Sequence, residues 1–252
     1  MSGTLRAWSS ARRVLAILAL AAATAATAQE GTAQDKYASP RVGSFQLSIF
    51  GYRPKIDSEF GGAAAPFATI FGNGRGVLGR VDVAYSLLIR EEGTLDLGVG
   101  GGYYQTTGHG LLPDGTRSGD LTKFKTVPTR LSLTYRLDLL WERYTIPLAP
   151  FVRVSFDRYW WWVTNGSGST ANAGGLNGSG ATNGYSFSGG IALLLDFIDR
   201  QLAREMDRNS GVNHTYAFFE IAKSTINDFG SSTSWDLSDA GTTIGGGLLF
   251  VF

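Results

Sequence analysis

GTTIGGGLLFVF, residues 241–252, closes the chain. Ile244, Gly246, Leu248, Phe250 and Phe252 share one face of an extended segment, apolar side chains with a glycine among them and an aromatic at the end. Successive side chains of a strand point to opposite faces. A last strand with a lipid-compatible face ending on an aromatic is the usual reading for an outer-membrane β-barrel.

Working back from that strand, the same alternation recurs. Phe45, Leu47 and Ile49 alternate with Gln46 and Ser48 in a first strand. A second has Val77, Gly79, Val81, Val83, Tyr85 and Leu87 on one side, with Arg80, Asp82, Ala84 and Ser86 on the other. Opposite charges two residues apart would be costly in a dry apolar core but suit a polar barrel interior. After a tight turn at Glu91-Glu92-Gly93, Leu95, Leu97, Val99, Gly101 and Tyr103 oppose Asp96, Gly98, Gly100, Gly102 and Tyr104, so the inner face is small enough to admit bulky neighbours from facing strands. A fourth strand turns Val127, Thr129, Leu131, Leu133 and Tyr135 outward and Arg130, Ser132, Thr134 and Arg136 inward, with Pro128 near its start.

In the fifth, Val152, Val154 and Phe156 alternate with Arg153, Ser155 and Asp157 before Tyr159-Trp160-Trp161-Trp162, a run that puts at least one tryptophan outside, where a membrane interface accommodates it. The sixth carries Tyr185, Phe187, Gly189, Ile191, Leu193 and Leu195 outward and Ser186, Ser188, Gly190, Ala192 and Asp196 inward. Ile198, Leu202 and Met206, at four-residue intervals, predict a short helix over 198–207. A seventh strand spans about 214–223, its faces obscured by adjacent Phe218 and Phe219, and the eighth spans 241–252. The connections read as loops at 54–75, 107–121, 163–184 and 225–240 on one side, with shorter ones at 89–93 and 138–147 and the helix-bearing 198–212 on the other. Residues 165–183, NGSGSTANAGGLNGSGATN, are low in complexity and predict a mobile external loop.

The ends and composition agree with an exported membrane protein. Arg6, Arg12 and Arg13 precede an apolar run, Val14 to Ala23, and then Ala26-Thr27-Ala28, the pattern of a signal peptide spanning residues 1–28. A lead-in follows at 29–42, and the barrel domain at 43–252. Without the leader the chain keeps 19 of its 22 basic residues against 21 acidic ones, a formal charge of −2. Such a balance gives no general attraction to nucleic acid. With no cysteine there is neither a disulfide framework nor a lipidated thiol. No later stretch reaches the ~18 apolar residues of a transmembrane helix.

On the stretches SPRVGSFQLSIFGYRPKIDSEF (39–60), SLTYRLDLL (132–140), IPLAPFVRVSFDRYWWWVTNGSG (146–168), GVNHTYAFFEIAK (211–223) and DLSDAGTTIGGGLLFVF (236–252), the chain resembles a family of outer-membrane β-barrel proteins of myxobacteria and their relatives. The resemblance implies a small barrel and brings no substrate, reaction or site residue with it.

The residues themselves offer little chemistry. Hydrolysis or acyl transfer needs a nucleophile or water, a base and an orienting partner. The two histidines, His109 and His214, fall at opposite ends of the predicted barrel, and His109 with Ser118 and Asp120 sits in a glycine-rich loop with nothing rigid to orient it. Asp57, Glu59, Asp114, Asp120, Asp228, Asp236 and Asp239 are scattered over loops without calcium-loop spacing. No catalytic, cofactor-binding or metal-binding residue is therefore assigned, and no cofactor is implied. Arg80, Asp82, Asp96, Arg130, Arg136, Arg153, Asp157 and Asp196 mix both signs and predict a salt-bridged plug inside an eight-stranded wall.

The expectation is an all-β, eight-stranded antiparallel transmembrane β-barrel with a short periplasmic helix, a non-enzymatic protein of the bacterial outer membrane with a structural or loop-presenting, surface-binding role. The alternatives are a narrow ion or small-solute channel and a lipid-modifying enzyme. Expected partners are outer-membrane lipids and lipopolysaccharide, the barrel-assembly machinery through the C-terminal strand, and an unidentified surface ligand, with no nucleic acid.

Overall fold

The computed structural model describes residues 40–111, 116–173, 176–231 and 233–252; the predicted signal peptide and most of the lead-in lie outside them. Eight antiparallel strands close into a barrel: β1 (Gly43–Tyr52), β2 (Gly76–Ile89), β3 (Thr94–Leu111), β4 (Arg117–Arg136), β5 (Leu148–Thr164), β8 (Ser179–Leu194), β9 (His214–Ile226) and β10 (Thr243–Val251). Between β5 and β8 lies a two-stranded ladder, β6 (Asn172–Ala173) with β7 (Leu176–Asn177). The first and last strands pair in register, Ser44 opposite Val251 and Gly51 opposite Ile244, so the ring has no free edge there.

Alternation along each strand sets the two surfaces. Leu47, Val81, Val99, Leu131, Val152, Phe187, Ile191, Ile221 and Leu248 face outward and are exposed, while Gln46, Asp82, Asp96, Arg130, Arg153 and Glu220 are buried within. Trp160 and Tyr185 ring the outer wall toward one end, and Tyr85 and Tyr135 toward the other, which are the girdles of a barrel that crosses a membrane. Of the three consecutive tryptophans, Trp160 is exposed on the outer wall and Trp161 turns inward onto Trp235. No helix among the described residues is long and apolar enough to span a bilayer, and the strands do the crossing.

The end carrying β1's start and β10's finish, where the β2–β3 turn lies, is called the turn end; the other is the loop end. At the turn end, Arg90 N donates to Gly93 O (3.1 Å) in the β2–β3 turn, and α2 (Leu139–Tyr144) and α3 (Arg200–Ser210) form the other two connections. Asp199 caps α3, accepting from Gln201 N and Leu202 N at 3.0 Å, and Gly211 ends it with φ of 70°. The helix thus starts two residues later and ends three later than its apolar spacing predicts, because the cap and the glycine, rather than Ile198, set its ends.

Two loop assignments are corrected. Residues 107–121 are mostly strand: pairing continues from Thr107 opposite Lys123 to Leu111 opposite Arg117. Likewise β5 runs on to Thr164, and β8 begins at Ser179, opposite Trp162. A membrane strand needs about 9 to 11 residues, whereas β4 has 20 and β3 has 18. The surplus of β3, β4, β5 and β8 continues the sheet past the length that a bilayer crossing requires. Gly108 lies where Ile70 O approaches so closely that a Cβ would sit 1.9 Å from it, so this glycine marks a close backbone approach rather than a loop. The 54–75 connection contains a 3-10 turn (Ile56–Phe60) and α1 (Pro66–Phe71), and the 225–240 connection is shortened by β9's extension to Ile226.

Candidate functional site: the sealed lumen and its loop-end cap

The interior is layered. At the loop end Phe50, Tyr52, Leu78, Tyr104, Phe124, Tyr159 and Ile226 from the wall pack with Ile56, Phe67 and Leu237 from the loops, all at 4% exposure or less. At the turn end Phe151, Ala192, Leu194, Tyr216, Phe218, Leu249 and Val251 form a second apolar layer. Polar side chains lie between them. An eight-stranded barrel is narrow enough for side chains to fill it, and here they do.

Arg153 of β5 is the hub of the polar layer. Its Nη1 donates to Glu220 of β9 (2.9 Å), its Nη2 to Gln46 Oε1 of β1 (2.8 Å) and its Nε to Thr134 Oγ1 of β4 (2.9 Å), tying four strands. Arg130 grips Asp82 with two parallel bonds, Nε–Oδ1 at 2.6 Å and Nη2–Oδ2 at 2.7 Å. This pair reaches from β4 to β2 across β3, which is possible because β3 carries Gly100 at that level: a Cβ there would lie 1.7 Å from Asp82 Oδ1. Arg136 Nε donates to Asp138 Oδ1 (2.8 Å), with Asp96 3.8 Å from its Nη1, and Arg80 donates to Tyr159 Oη (3.2 Å) while lying over the Phe50 ring. Asp157 accepts from Ser155 Oγ at 3.0 Å and from Ser186 Oγ.

Seven of the eight predicted plug residues are thus inside the barrel. The exception is Asp196, which sits at the turn-end rim with its Oδ2 2.7 Å from His214 Nδ1 and its Oδ1 accepting from Thr215 N (3.0 Å). Three plug residues escaped the sequence reading. Glu220 was hidden because Phe218 and Phe219 blur β9's alternation; with Tyr216 and Phe218 inward, parity puts Glu220 inward too. Gln46 was legible as inward but carries no charge, and Asp138 lies just past the end of β4.

The loop end is ordered by the acidic residues that sequence alone leaves scattered. Asp57 accepts from Phe67 N (2.7 Å) and Ala68 N (3.1 Å), holding the start of α1 against the mouth, and Arg53 braces it at 3.2 Å. Glu59 accepts from Asp236 N (2.8 Å), Asp236 from Ser238 N (3.0 Å), and Asp239 joins Arg75 to Thr243. Trp235 stacks on Trp161 with ring centroids 4.1 Å apart. Asp228 and Phe229, both at positive φ, form a tight corner that sets Phe229 beside Phe156 on the outer wall. Burial works to raise the Asp228 carboxyl, but hydrogen bonds from Ser234 Oγ, Asn183 N and Asn183 Nδ2, with the nearby Arg158 charge, hold it below the usual carboxylate range. Asp114 lies outside the described residues.

The catalytic alternatives gain no geometry. His109 stands exposed on β3, its Nδ1 3.1 Å from the backbone oxygen of Ser118, while Ser118 Oγ accepts from Asp120 N (3.1 Å). The three are close together, yet no base–hydroxyl bond links them. Among the described residues no group of three His, Cys, Asp or Glu side chains could hold a metal ion. The lumen contains a small cavity of about 30 Å³, bounded by Gln46, Asp82, Asp96, Arg136 and Arg153, room for about one or two waters. A hollow of about 1000 Å³ is an apolar furrow on the outer wall where Gly79, Gly101 and Gly246 lack side chains. It has no converging polar groups and suits packed acyl chains rather than a substrate.

No protein-family model and no curated protein matches the chain. Among solved structures, the N-terminal β-barrel domain of Pseudomonas aeruginosa OprF is similar at 13% identity, covering 84% of this chain and 100% of that one with a TM-score of 0.42. Neisserial surface protein A is similar at 11% identity, 85% and 99% coverage and a TM-score of 0.45. Ail, the attachment invasion locus protein of Yersinia pestis, in complex with the heparin analogue sucrose octasulfate, is similar at 9%, 84% and 97%, with 0.39. These are likenesses of architecture to outer-membrane β-barrels. No functional residue is carried across from them.

Proposed function

We propose that the protein is a closed scaffold of the bacterial outer membrane whose role is structural or surface-binding, exercised through the ordered cap at its loop end. In this reading residues 1–28 are a signal peptide, residues 29–42 lead into the barrel at 43–252, the C-terminal strand is read by the barrel-assembly machinery, and lipids and lipopolysaccharide surround the wall. The turn end faces the periplasm and the loop end the outside. The stretches quoted above support placing it with the myxobacterial barrel proteins. It neither conducts nor catalyses.

One observation carries the reading: both mouths are closed by apolar layers around a polar layer in which Arg130, Arg136 and Arg153 are each paired with a carboxylate. A conducting pore needs a continuous wet path, and an enzyme needs a nucleophile within reach of a base. By contrast, Asp57, Glu59 and Asp239 hold the loops in place, as suits a surface meant to be presented. The chain has no cysteine, so single-cysteine forms test the placement directly. Ala63→Cys is expected to react with a membrane-impermeant maleimide on intact cells, and Asn209→Cys only after the outer membrane is permeabilised. The reverse pattern, or reaction at neither site after permeabilisation, overturns it.

A further inference from the structure

The helix connecting β8 to β9 has work that the barrel itself does not require. None of its residues is buried, so α3 neither plugs the mouth nor completes either apolar layer. Phe197, Ile198 and Leu202, just before and within it, are 44%, 69% and 54% exposed. Single exposed apolar residues are ordinary, but these continue a surface that already meets lipid. Leu193, the last exposed outward residue of β8, pairs with Leu148 of β5, and Ile146 and Tyr144 beside Leu148 are exposed as well. On this side of the barrel the apolar wall therefore runs past the end of the strands and onto the helix.

The helix pattern fits that position. Within α3 Leu202 and Met206 are one helical turn apart, with Ile198 just ahead of the cap, whereas Arg200, Arg204 and Arg208 occupy the opposite side and are exposed, outnumbering the helix's acidic Glu205 and Asp207. A helix with an apolar stripe, a basic polar face and low mean hydropathy lies in a membrane interface rather than across it. The flanking Arg143, whose guanidinium lies over the Tyr144 ring, has the reach to keep its charge at headgroup level while its stem stays on apolar surface.

We propose that Phe197–Met206 is an in-plane membrane anchor whose occupant is the phospholipid of the periplasmic leaflet, with Phe197, Ile198 and Leu202 entering the headgroup–acyl boundary. Continuity with the lipid-facing β5–β8 wall selects lipid over a soluble periplasmic protein. The anchor rests on the membrane placement proposed above, and the test separates the two. Full-length single-cysteine forms, Ile198→Cys, Leu202→Cys and Arg204→Cys, with Leu193→Cys as a wall reference, are spin-labelled and refolded into phosphatidylethanolamine–phosphatidylglycerol vesicles. Collisions with dissolved oxygen report lipid, and those with a water-soluble nickel complex report water. Labels at 198 and 202 are expected to match 193, with an oxygen-to-nickel ratio several-fold above that at 204. Nickel accessibility at 198 and 202 equal to that at 204, or access to neither reagent, overturns the anchor. If 193 itself reads as aqueous, the membrane placement fails first.

Discussion

Removing the Arg153 side chain tests how dry the lumen is. Arg153 is 7% exposed and its partner Glu220 is 0% exposed; Glu220 Oε2 accepts from Arg153, and its Oε1 has no hydrogen-bond partner among the described residues. In Arg153→Ala the carboxylate stays buried without its cation, and breaking such a pair typically costs about 3–5 kcal/mol. Gln46 Oε1 and Thr134 Oγ1 also lose their donor, about 1 kcal/mol for each hydrogen bond. The expected loss of roughly 5–7 kcal/mol is a large part of the ~5–15 kcal/mol that holds a typical domain together.

The paired replacement Arg153→Met/Glu220→Leu removes both charges and keeps similar volume. It is expected to recover most of the single variant's loss, since such swaps in other proteins range from neutral to about 1–4 kcal/mol favourable, offset here by the two hydrogen bonds to Gln46 and Thr134 that it also lacks. Urea unfolding of the refolded barrel in vesicles, followed by tryptophan fluorescence, reads both. A single variant costing less than about 1 kcal/mol, in the range of an exposed pair, would mean that water reaches Glu220, and the sealed-lumen account would be wrong.

Gly100→Ala is expected to destabilise the barrel markedly by driving Asp82 off Arg130, whereas Gly79→Ala, with nothing within 4 Å of its Cβ, is expected within about 0.5 kcal/mol of the parent in the same unfolding assay. Asp57→Ala removes the acceptor for Phe67 N and Ala68 N and is expected to cost about 1 kcal/mol, with faster protease cleavage confined to 54–75. Asp228 has a carboxyl held low in the folded state, so its contribution is complete above the ordinary aspartate value near ~3.9 and is lost as pH falls through the lower folded one. Hydrogen exchange at the Asn183 amide is therefore expected to accelerate below about pH 4 beyond its intrinsic pH dependence, and Asp228→Asn to abolish that extra step.

Which parts were legible follows from how local their causes are. Strand parity is a property of neighbours in sequence, so Arg80, Asp82, Arg130 and Arg153 could be placed inward before any coordinates. Parity failed at β9, where Phe218 fills the lumen and Phe219 faces lipid, and with it went Glu220, the partner of Arg153. The cap was illegible for a different reason. Asp57 acts on Phe67 and Ala68, ten and eleven residues on, and Glu59 acts on Asp236, 177 residues on, so neither has a signature at fixed spacing. While 165–171 is indeed turn and bend, composition misled over 107–111, 117–121 and 179–183, where glycine and asparagine suggest loops. Strand pairing there is carried by backbone groups, and Gly108 is needed for contact with Ile70 rather than for a turn.

Conductance of the purified, refolded protein in planar bilayers, with insertion verified independently, addresses the central claim most directly. The layers around Arg153 and Arg130 predict a correctly inserted barrel that stays silent. Discrete, reproducible openings would contradict that account and make Arg80, Asp82 and Arg130 the lining of a pore.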